Sequence, residues 1–572
     1  MRFFAAAGLI LAGMSSLCFG QLTTEQKISD FQQTVGLFVK GYGPYEWKKQ
    51  LLGFDLADTD PWIAKIRATK SDLEFYELMY LYIASLDDAH SVYDFYSSYI
   101  GNLNFGVDIY DGRLLIDNIN RTRLPAGEYP FAIGYELVSI DGEAATAILD
   151  KLIKYSALAN PRSSRRNAAS LITVRPQRIV FGMAEVPEIS TVVLRRYDGK
   201  LETYRIPWSR SGLKMPGNGK LPNPNAARLL RPGAASGDGE PVVAETPDYM
   251  KPLEALWNCR LPERKAILNY GAVTPVFSRG LPGTFVQRLG RLSTDFFYSG
   301  TYVSEGQRIG FIRIPTYAPS DQNGALTQFV REIAYMQENT DGLVVDQTRN
   351  PGGSVAYQHA LVSFLFHYPW RGMAFEVRAT SIWLASISSS YESAKAQGAP
   401  ASILALLENI LVALQEANRT PQGMTVPIPL DDVEITRQPA KDARGNLLSY
   451  TKPTIFLADE FSASGGDAFA AIMQDNGRGP IFGYRTMGAG GNVTSWKAGS
   501  YSEGLVNRTE SLMSRATERA EAGYPVSRYV ENVGVHPDIE YDYMTQENLT
   551  LGGRPFVNAF TAAMVEQIGK NR

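Results

Sequence analysis

The sequence predicts an α/β protein built from several units: a helical N-terminal segment, a β-rich middle and an α/β core. Three observations carry this expectation. Apolar residues recur at three and four through residues 21–100, short alternating strands follow over 101–208, and strands alternate with helices from 281 to 572. A chain of 572 residues is too long for one ordinary core, so a division into units is expected on length alone.

The opening stretch MRFFAAAGLILAGMSSLCFGQ sets Arg2 before an apolar run and ends in small residues. It reads as a secretory signal over residues 1–20, cleaved near Gly20–Gln21, and predicts export to the periplasm or beyond the cell. Cys18 leaves with it, and a lipoprotein site there is disfavoured by Leu17. Cys259 is then the only thiol, so no internal disulfide framework is available and stability rests on packing. No second apolar run is long enough to cross a bilayer, which predicts a soluble chain once the signal is removed. Lysine and arginine number 56 against 59 aspartate and glutamate, with no block of one sign, and this argues against a nucleic-acid partner.

The helical unit contains ISDFQQTVGLFVKGY and SDLEFYELMYLYIASL, with Ser71 placed to cap the second. Its periodicity breaks at LDDAHSVYDF, which leaves His90 at the edge of a packed element. In the β-rich unit, FGVDIY, RLLIDNI, ELVSIDG and TVVLRRY alternate as strands, and AATAILDKLI is helical. The stretch GYELVSIDGEAATAILDKL resembles a PDZ domain, with Tyr135 where that family usually has aspartate. The resemblance implies a groove that takes a peptide as an added strand; the strand pattern alone fits a β-rich unit without a ligand equally well. Residues 209–280 are expected to be a flexible insertion or linker, because 209–247 is dominated by Pro, Gly, Asn and Ala. That segment is a candidate for regulating the cleft or for being cut during maturation. In the core, RIGFIRI, DGLVVDQ and TIFLADE read as strands, ALTQFVREIAYMQ, AYQHALVSFLF and GGDAFAAIMQDNG as helices, and 381–422 as a helical excursion.

The chemistry concentrates in PTIFLADEFSASGGDAFAAIMQDNGRGPIFGYRTMGAGGNV, residues 453–493. A buried strand, a small-residue turn and a helix place Ser464 at a strand-to-helix corner, where free amides and the helix dipole favour a developing negative charge. On local sequence alone, a helix cap by Ser462 or Ser464 explains the serines as well. The whole stretch resembles the signature of the tail-specific, or C-terminal processing, serine peptidase superfamily. Ala470, Asp475, Arg478, Gly483, Thr486 and Gly488 align with it and set the nucleophile at Ser464. RIGFIRIPTY and DGLVVDQTRNPGG resemble two further motifs of that family. The resemblance implies a ClpP/crotonase-like α/β catalytic core and a serine endopeptidase acting on protein or peptide substrates.

One branch of the superfamily takes its base from a lysine in "T-x-G-K-G", but the aligned position in TMGAGG is Ala489 and Lys497 lies beyond the motif. The GAGG variant resembles a Ser-His-Glu branch that includes the chlamydial protease-like activity factor. LDDAHSVYDF and RYVENVGVHPDIEY match its remaining motifs, implying His90 as general base and Glu531 as the orienting acid, with Asp87 and Asp88 as rivals to Glu531. The implied oxyanion donors are the amides of Gly465 and of Gly352 or Gly353. His359 reads as structural, His367 as a core-edge residue and His536 as a neighbour of Glu531; Asp346 and Arg349 read as scaffold. No cofactor is expected, and no metal, since no His/Cys cluster has ligand spacing. A homodimer is one allowed assembly. The rival functions are a catalytically inactive peptide- or ligand-binding protein on the same scaffold and an adaptor working through the PDZ-like region alone.

Overall fold

The computed structural model describes residues 21–570 apart from 54, 96, 216, 219–245, 262–269 and 503. The expected signal segment and most of the 209–247 stretch therefore lie outside the described residues.

The core is a seven-stranded sheet in the order Val286–Leu289, Tyr298–Ser304, Gln307–Arg313, Gly342–Asp346, Thr454–Ala458, Ile481–Gly483, Ile539–Glu540. The first three strands form an antiparallel meander, and from Gln307–Arg313 onward every pairing is parallel. Side chains alternate faces with period two. Ile312, Leu343, Val345 and Phe456 join the helices Gln322–Asn339 and Gly465–Asp475 in one buried layer. Ile309, Phe311, Val344, Ile455 and Leu457 point the other way, against Phe556, Phe560 and Met564 of the C-terminal helix Arg554–Lys570. The sheet is thus covered on both faces, as parallel strands require. The 381–422 excursion is a helical hairpin, Ser381–Ala396 and Ala401–Ala417, packed on the first layer through Trp383, Ile387, Leu407 and Leu414.

The β-rich unit orders its strands Phe105–Tyr110, Arg113–Ile119, Glu136–Ile140, Ile189–Arg195, Leu201–Pro207. Its apolar face shares one continuous core with the N-terminal helices, from Phe31 and Phe75 through Phe105 and Ile172 to Val506 of the α/β core. The helix Pro161–Thr173 packs over the edge strand Phe105–Tyr110, and its Arg166 pairs with Asp108 on that strand at 2.5 Å. Arg166 also reaches Glu460, at 2.9 Å, in the turn that ends the core strand Thr454–Ala458. One buried guanidinium thereby joins the β-rich unit to the serine-bearing corner.

Two sequence expectations change at their edges. The helical unit expected over 21–100 ends its last helix at Ala84, and Val92–Asp94 and Ile100–Asn102 are strands instead. They pair with Leu505–Asn507 and Val174–Pro176, partners that no local periodicity announces. Within 209–280, Ser209–Ser211 pairs with Ile100–Asn102, Lys251–Trp257 is a helix and Asn258–Arg260 a strand. Leu253, Leu256 and Cys259 are fully buried there, so this end of the stretch is part of the packed core.

Arg166→Leu should strand Asp108 as a buried carboxylate, while Glu460 keeps its pairing with Arg162. It is expected to cost about 3–5 kcal/mol, read as a lowered urea midpoint, whereas Arg165→Leu, whose partner Asp150 is exposed, should change it little.

Candidate active site

Ser464 stands where the strand Thr454–Ala458 turns into the helix Gly465–Asp475, at the carboxyl end of a parallel strand, where open α/β sheets present their sites. Its backbone has φ 60 and ψ −111, a conformation costly for a residue with a Cβ. What holds it there is Asp467, one turn into the helix, whose Oδ2 accepts the Ser464 amide at 2.7 Å. The same carboxylate accepts the amides of Gly488, at 2.8 Å, and Ala489, at 3.0 Å, and the Thr486 hydroxyl. The TMGAGG turn is therefore a backbone brace for the serine corner. Burial pushes Asp467 up to about 6, although each of these hydrogen bonds pulls the other way. Ser462 does different work: its hydroxyl donates to Gln347 O at 3.0 Å and accepts the Asp459 amide, closing the turn.

His90 arrives from the opposite end of the chain. The strand Val92–Asp94 adds to Leu505–Asn507, and the turn before it presents the imidazole to the core. His90 Nε2 lies 2.8 Å from Ser464 Oγ, and both residues are fully buried. Asp88 fastens this turn: Oδ1 accepts the His90 amide at 2.8 Å, and Oδ2 accepts the hydroxyls of Tyr42, Ser91 and Thr509. Burial alone would raise Asp88, but the charges of Lys48 and His90, with the hydroxyls of Thr509 and Tyr42, outweigh it and hold the carboxyl below its usual range.

Glu531 is brought into the same buried cluster. Its Oε2 accepts the Gly490 amide at 2.8 Å, and its Oε1 is 2.5 Å from Lys48 Nζ, on the helix Tyr45–Leu52. Burial pushes this carboxyl up to about 8, Lys48 and the Gly490 amide opposing and Asp88 reinforcing the shift. Of the rivals to Glu531, Asp88 grips the His90 backbone, and Asp87 offers its main-chain carbonyl to Lys48 at 2.8 Å.

The three glycines divide their roles. Gly352 spends its amide on Asn350 Oδ1, at 2.9 Å, which corrects the expectation that it donates to an oxyanion. It supplies room instead: a Cβ there would lie 2.6 Å from Gly465 N and 2.8 Å from Ser464 Cβ, and its φ is 84. Gly353, at φ 151, is pressed against the Tyr317 backbone, where a Cβ would come within 2.1 Å. Gly465 opens the serine helix, with its amide beside the nucleophile.

The cleft is filled by the chain itself. Asn258–Arg260 pairs antiparallel with Gly352–Ser354, setting Cys259 opposite Gly353, and Ser464 Oγ donates to Cys259 O at 2.5 Å. A peptide carbonyl thus sits between the nucleophile and the glycine pair. Sequence reasoning missed this contact, as it missed Lys48 and Asp467. The Asp467 signal was available, since an acidic third residue in a helix opening on serine is a recognised capping pattern; Cys259 and Lys48 had none.

The remaining candidates lie apart. His359 Nδ1 pairs with Asp431 at 2.8 Å, His367 is exposed, and His536 lies 3.4 Å from Glu521. Lys497 is exposed on a strand, and Asp346 pairs with Arg313 at 2.7 Å inside the sheet. Among the described residues, no group of three or more His, Cys, Asp or Glu is placed to hold a metal ion.

A serine at a strained strand-to-helix corner, an imidazole in hydrogen-bond reach and glycines beside the serine define a nucleophilic hydrolase site. Residues 308–541 match the model of peptidase family S41, and residues 100–217 match that of a PDZ domain. The chain carries a family S41 peptidase domain and is a serine peptidase. A Chlamydia pneumoniae protein is 24% identical across 96% of this chain and 91% of its own length. A Chlamydia trachomatis protein is 24% identical across 92% and 90%. The same fold is seen in mature CPAF, alone and complexed with lactacystin. Each of those structures superposes with a TM-score of 0.73 at 21% identity, over 96% of this chain and 98% or 99% of the other. The S41-type core and the PDZ-like unit expected from the sequence are both present.

Gly352→Ala, whose Cβ would press on Gly465 N and Ser464 Cβ, is expected to lower turnover by about 10²–10³, as much as the loss of an oxyanion donor elsewhere. Steady-state kinetics, with far-UV circular dichroism as the check on folding, would measure it.

Proposed function

We propose that the protein is an exported serine endopeptidase in which Ser464, His90 and Glu531 act as nucleophile, base and supporting acid. The observation that carries the reading is the 2.8 Å approach of His90 Nε2 to Ser464 Oγ, between residues 374 positions apart. Buried serine and imidazole side chains from distant segments have little structural reason to meet at a strained corner.

Ser464 attacks the scissile carbonyl while His90 takes its proton. The oxyanion develops toward the amide of Gly465, at the start of the serine helix, and that of Gly353, on the strand Gly352–Ser354. His90 returns the proton to the leaving amine, and water hydrolyses the acyl-enzyme by the same route in reverse. Glu531, ionised, offsets the charge carried by the imidazolium. Asn258–Arg260 lies where a substrate strand would add, so the described form is closed and this segment must leave before a peptide enters. That gives the 209–247 insertion a place in the reading, since the described end of the same connection carries the occupant. The signal-like N-terminus supports export, and the absence of any described helix long and apolar enough to cross a membrane is compatible with it. A soluble mature form and a homodimer belong to the same proposal.

A fluorophosphonate probe should label Ser464 in the native chain. Labelling should be lost in Ser464→Ala and fall by at least about 10³ in His90→Ala. Leu256→Asp, which unseats the helix leading into Asn258–Arg260, is expected to speed labelling, with Ser464→Ala in that background still silent. Undiminished labelling of the alanine variant would end the proposal.

A further inference from the structure

The N-terminal helix Tyr45–Leu52 sends a lysine into the interior behind His90, at a position no motif singled out. Lys48 is 1% exposed. Its ammonium has three donors, and three acceptors surround it: Glu531 Oε1 at 2.5 Å, Asn532 Oδ1 at 2.7 Å and Asp87 O at 2.8 Å. These belong to the two turns that carry the proposed base and acid, residues 87–90 and 531–532. Asn532 ties the turns a second time, donating through Nδ2 to Asp87 O at 3.0 Å, and Trp47 Nε1 donates to Glu531 O at 3.1 Å. Both turns hold a residue other than glycine in the left-handed region, Asp87 at φ 46 and Asn532 at φ 63. Such backbone persists only where its surroundings over-determine it.

We propose that Lys48 is a positioning residue of the peptidase: its buried ammonium faces the Glu531 carboxyl and locks the Glu531 turn to the His90 turn. This rests on the Ser464–His90–Glu531 reading. A cation is an expensive way to fill a core, since a buried ion pair is commonly no more stable than apolar residues of the same volume. Purely structural packing between these turns would be served by leucine or methionine. A charge is called for where the carboxyl it faces is to ionise at all in a buried site.

The surroundings make that demand explicit. Tyr42 from the end of the first helix, Asp87 and Asp88 from the His90 turn, and Arg485 beside Asn532 O are the other titratable or charged groups about the cluster. Asp88 and burial both disfavour the Glu531 carboxylate, and Lys48 opposes them. Without Lys48, Glu531 would ionise only at still higher pH, and less of the supporting charge would be present in the neutral range.

The test follows the rate of Ser464 acylation by a fluorophosphonate against pH in the full chain. The native rate should climb along a limb near pH 8 as Glu531 ionises. Lys48→Met should slow acylation about 10²-fold at neutral pH and move that limb upward. Lys48→Gln, which keeps a donor without the charge, should behave alike and serves if the methionine variant does not fold. Lys48→Arg should recover to within about tenfold. In a Glu531→Gln background the limb should vanish and Lys48→Gln should add little, because residues that act as one unit are non-additive. A native rate and limb in Lys48→Gln, an equally large effect with and without Glu531, or an arginine variant as slow as glutamine would each overturn the inference. If Ser464→Ala is still labelled, the underlying reading fails; if it is silent while the Lys48 variants match the native chain, only the role of Lys48 falls.

Discussion

The geometry of this peptidase depends on the clamp between its N-terminal helices and a β-ribbon of the core, made of the paired strands Val493–Lys497 and Leu505–Thr509 and the loop between them. Asp30 accepts the amides of Ser500, Tyr501 and Ser502 on that ribbon, Thr34 donates to Ala498 O, and the Gly43 amide reaches Thr509 O. Through the pairing of Val92–Asp94 with Leu505–Asn507, the same clamp fixes where His90 stands. An imidazole that belongs to one unit is thereby held against a serine hydroxyl that belongs to another. A shift of about 1 Å in such a pair suffices to impair catalysis, so the burial of this interface is part of the chemistry. The continuous core from Phe31 to Val506 supplies the apolar burial that makes the clamp firm.

Electrostatics around the site follow from that burial. Glu531, Asp88, Asp87 and Asp467 are all removed from water, and each would be raised by desolvation alone. They diverge because their partners differ. Asp88 has cationic neighbours and hydroxyl donors enough to stay low, whereas Glu531 has one ammonium and one amide and does not. Carboxyl groups within one cluster are thus pushed to different protonation behaviour, an arrangement that active sites use to assign acid and base roles.

The cleft shows the same economy of backbone. Gly352 and Gly353 bring the edge Gly352–Ser354 close enough for another strand to pair, and Asn258–Arg260 takes that place. Addition of a strand is also how an extended peptide would be gripped, through main-chain bonds indifferent to side-chain identity. The PDZ-like unit is engaged elsewhere: its edge strand Phe105–Tyr110 lies under the helix Pro161–Thr173, tied down by Arg166. Arg166 continues to Glu460, so this unit buttresses the serine corner whatever else it binds.

Much of the architecture was legible in the sequence because it rests on local periodicity. RIGFIRI and DGLVVDQ read as strands of an α/β unit, and the small-residue turn after TIFLADE declared the corner that bears Ser464. Ala489 ruled out a lysine at that position in the motif, and the structure leaves Ala489 buried with its amide on Asp467. Family motifs proposed His90 and Glu531, but a motif carries no distances. Only tertiary structure decided that Lys48 faces Glu531, that Gly352 gives its amide to Asn350, and that Cys259 lends its carbonyl to Ser464. The physical reason is range. A helix or strand is written in neighbours two to four residues apart, whereas Lys48 and Cys259 meet their partners across 483 and 205 residues, where only the packing of whole units sets who touches whom.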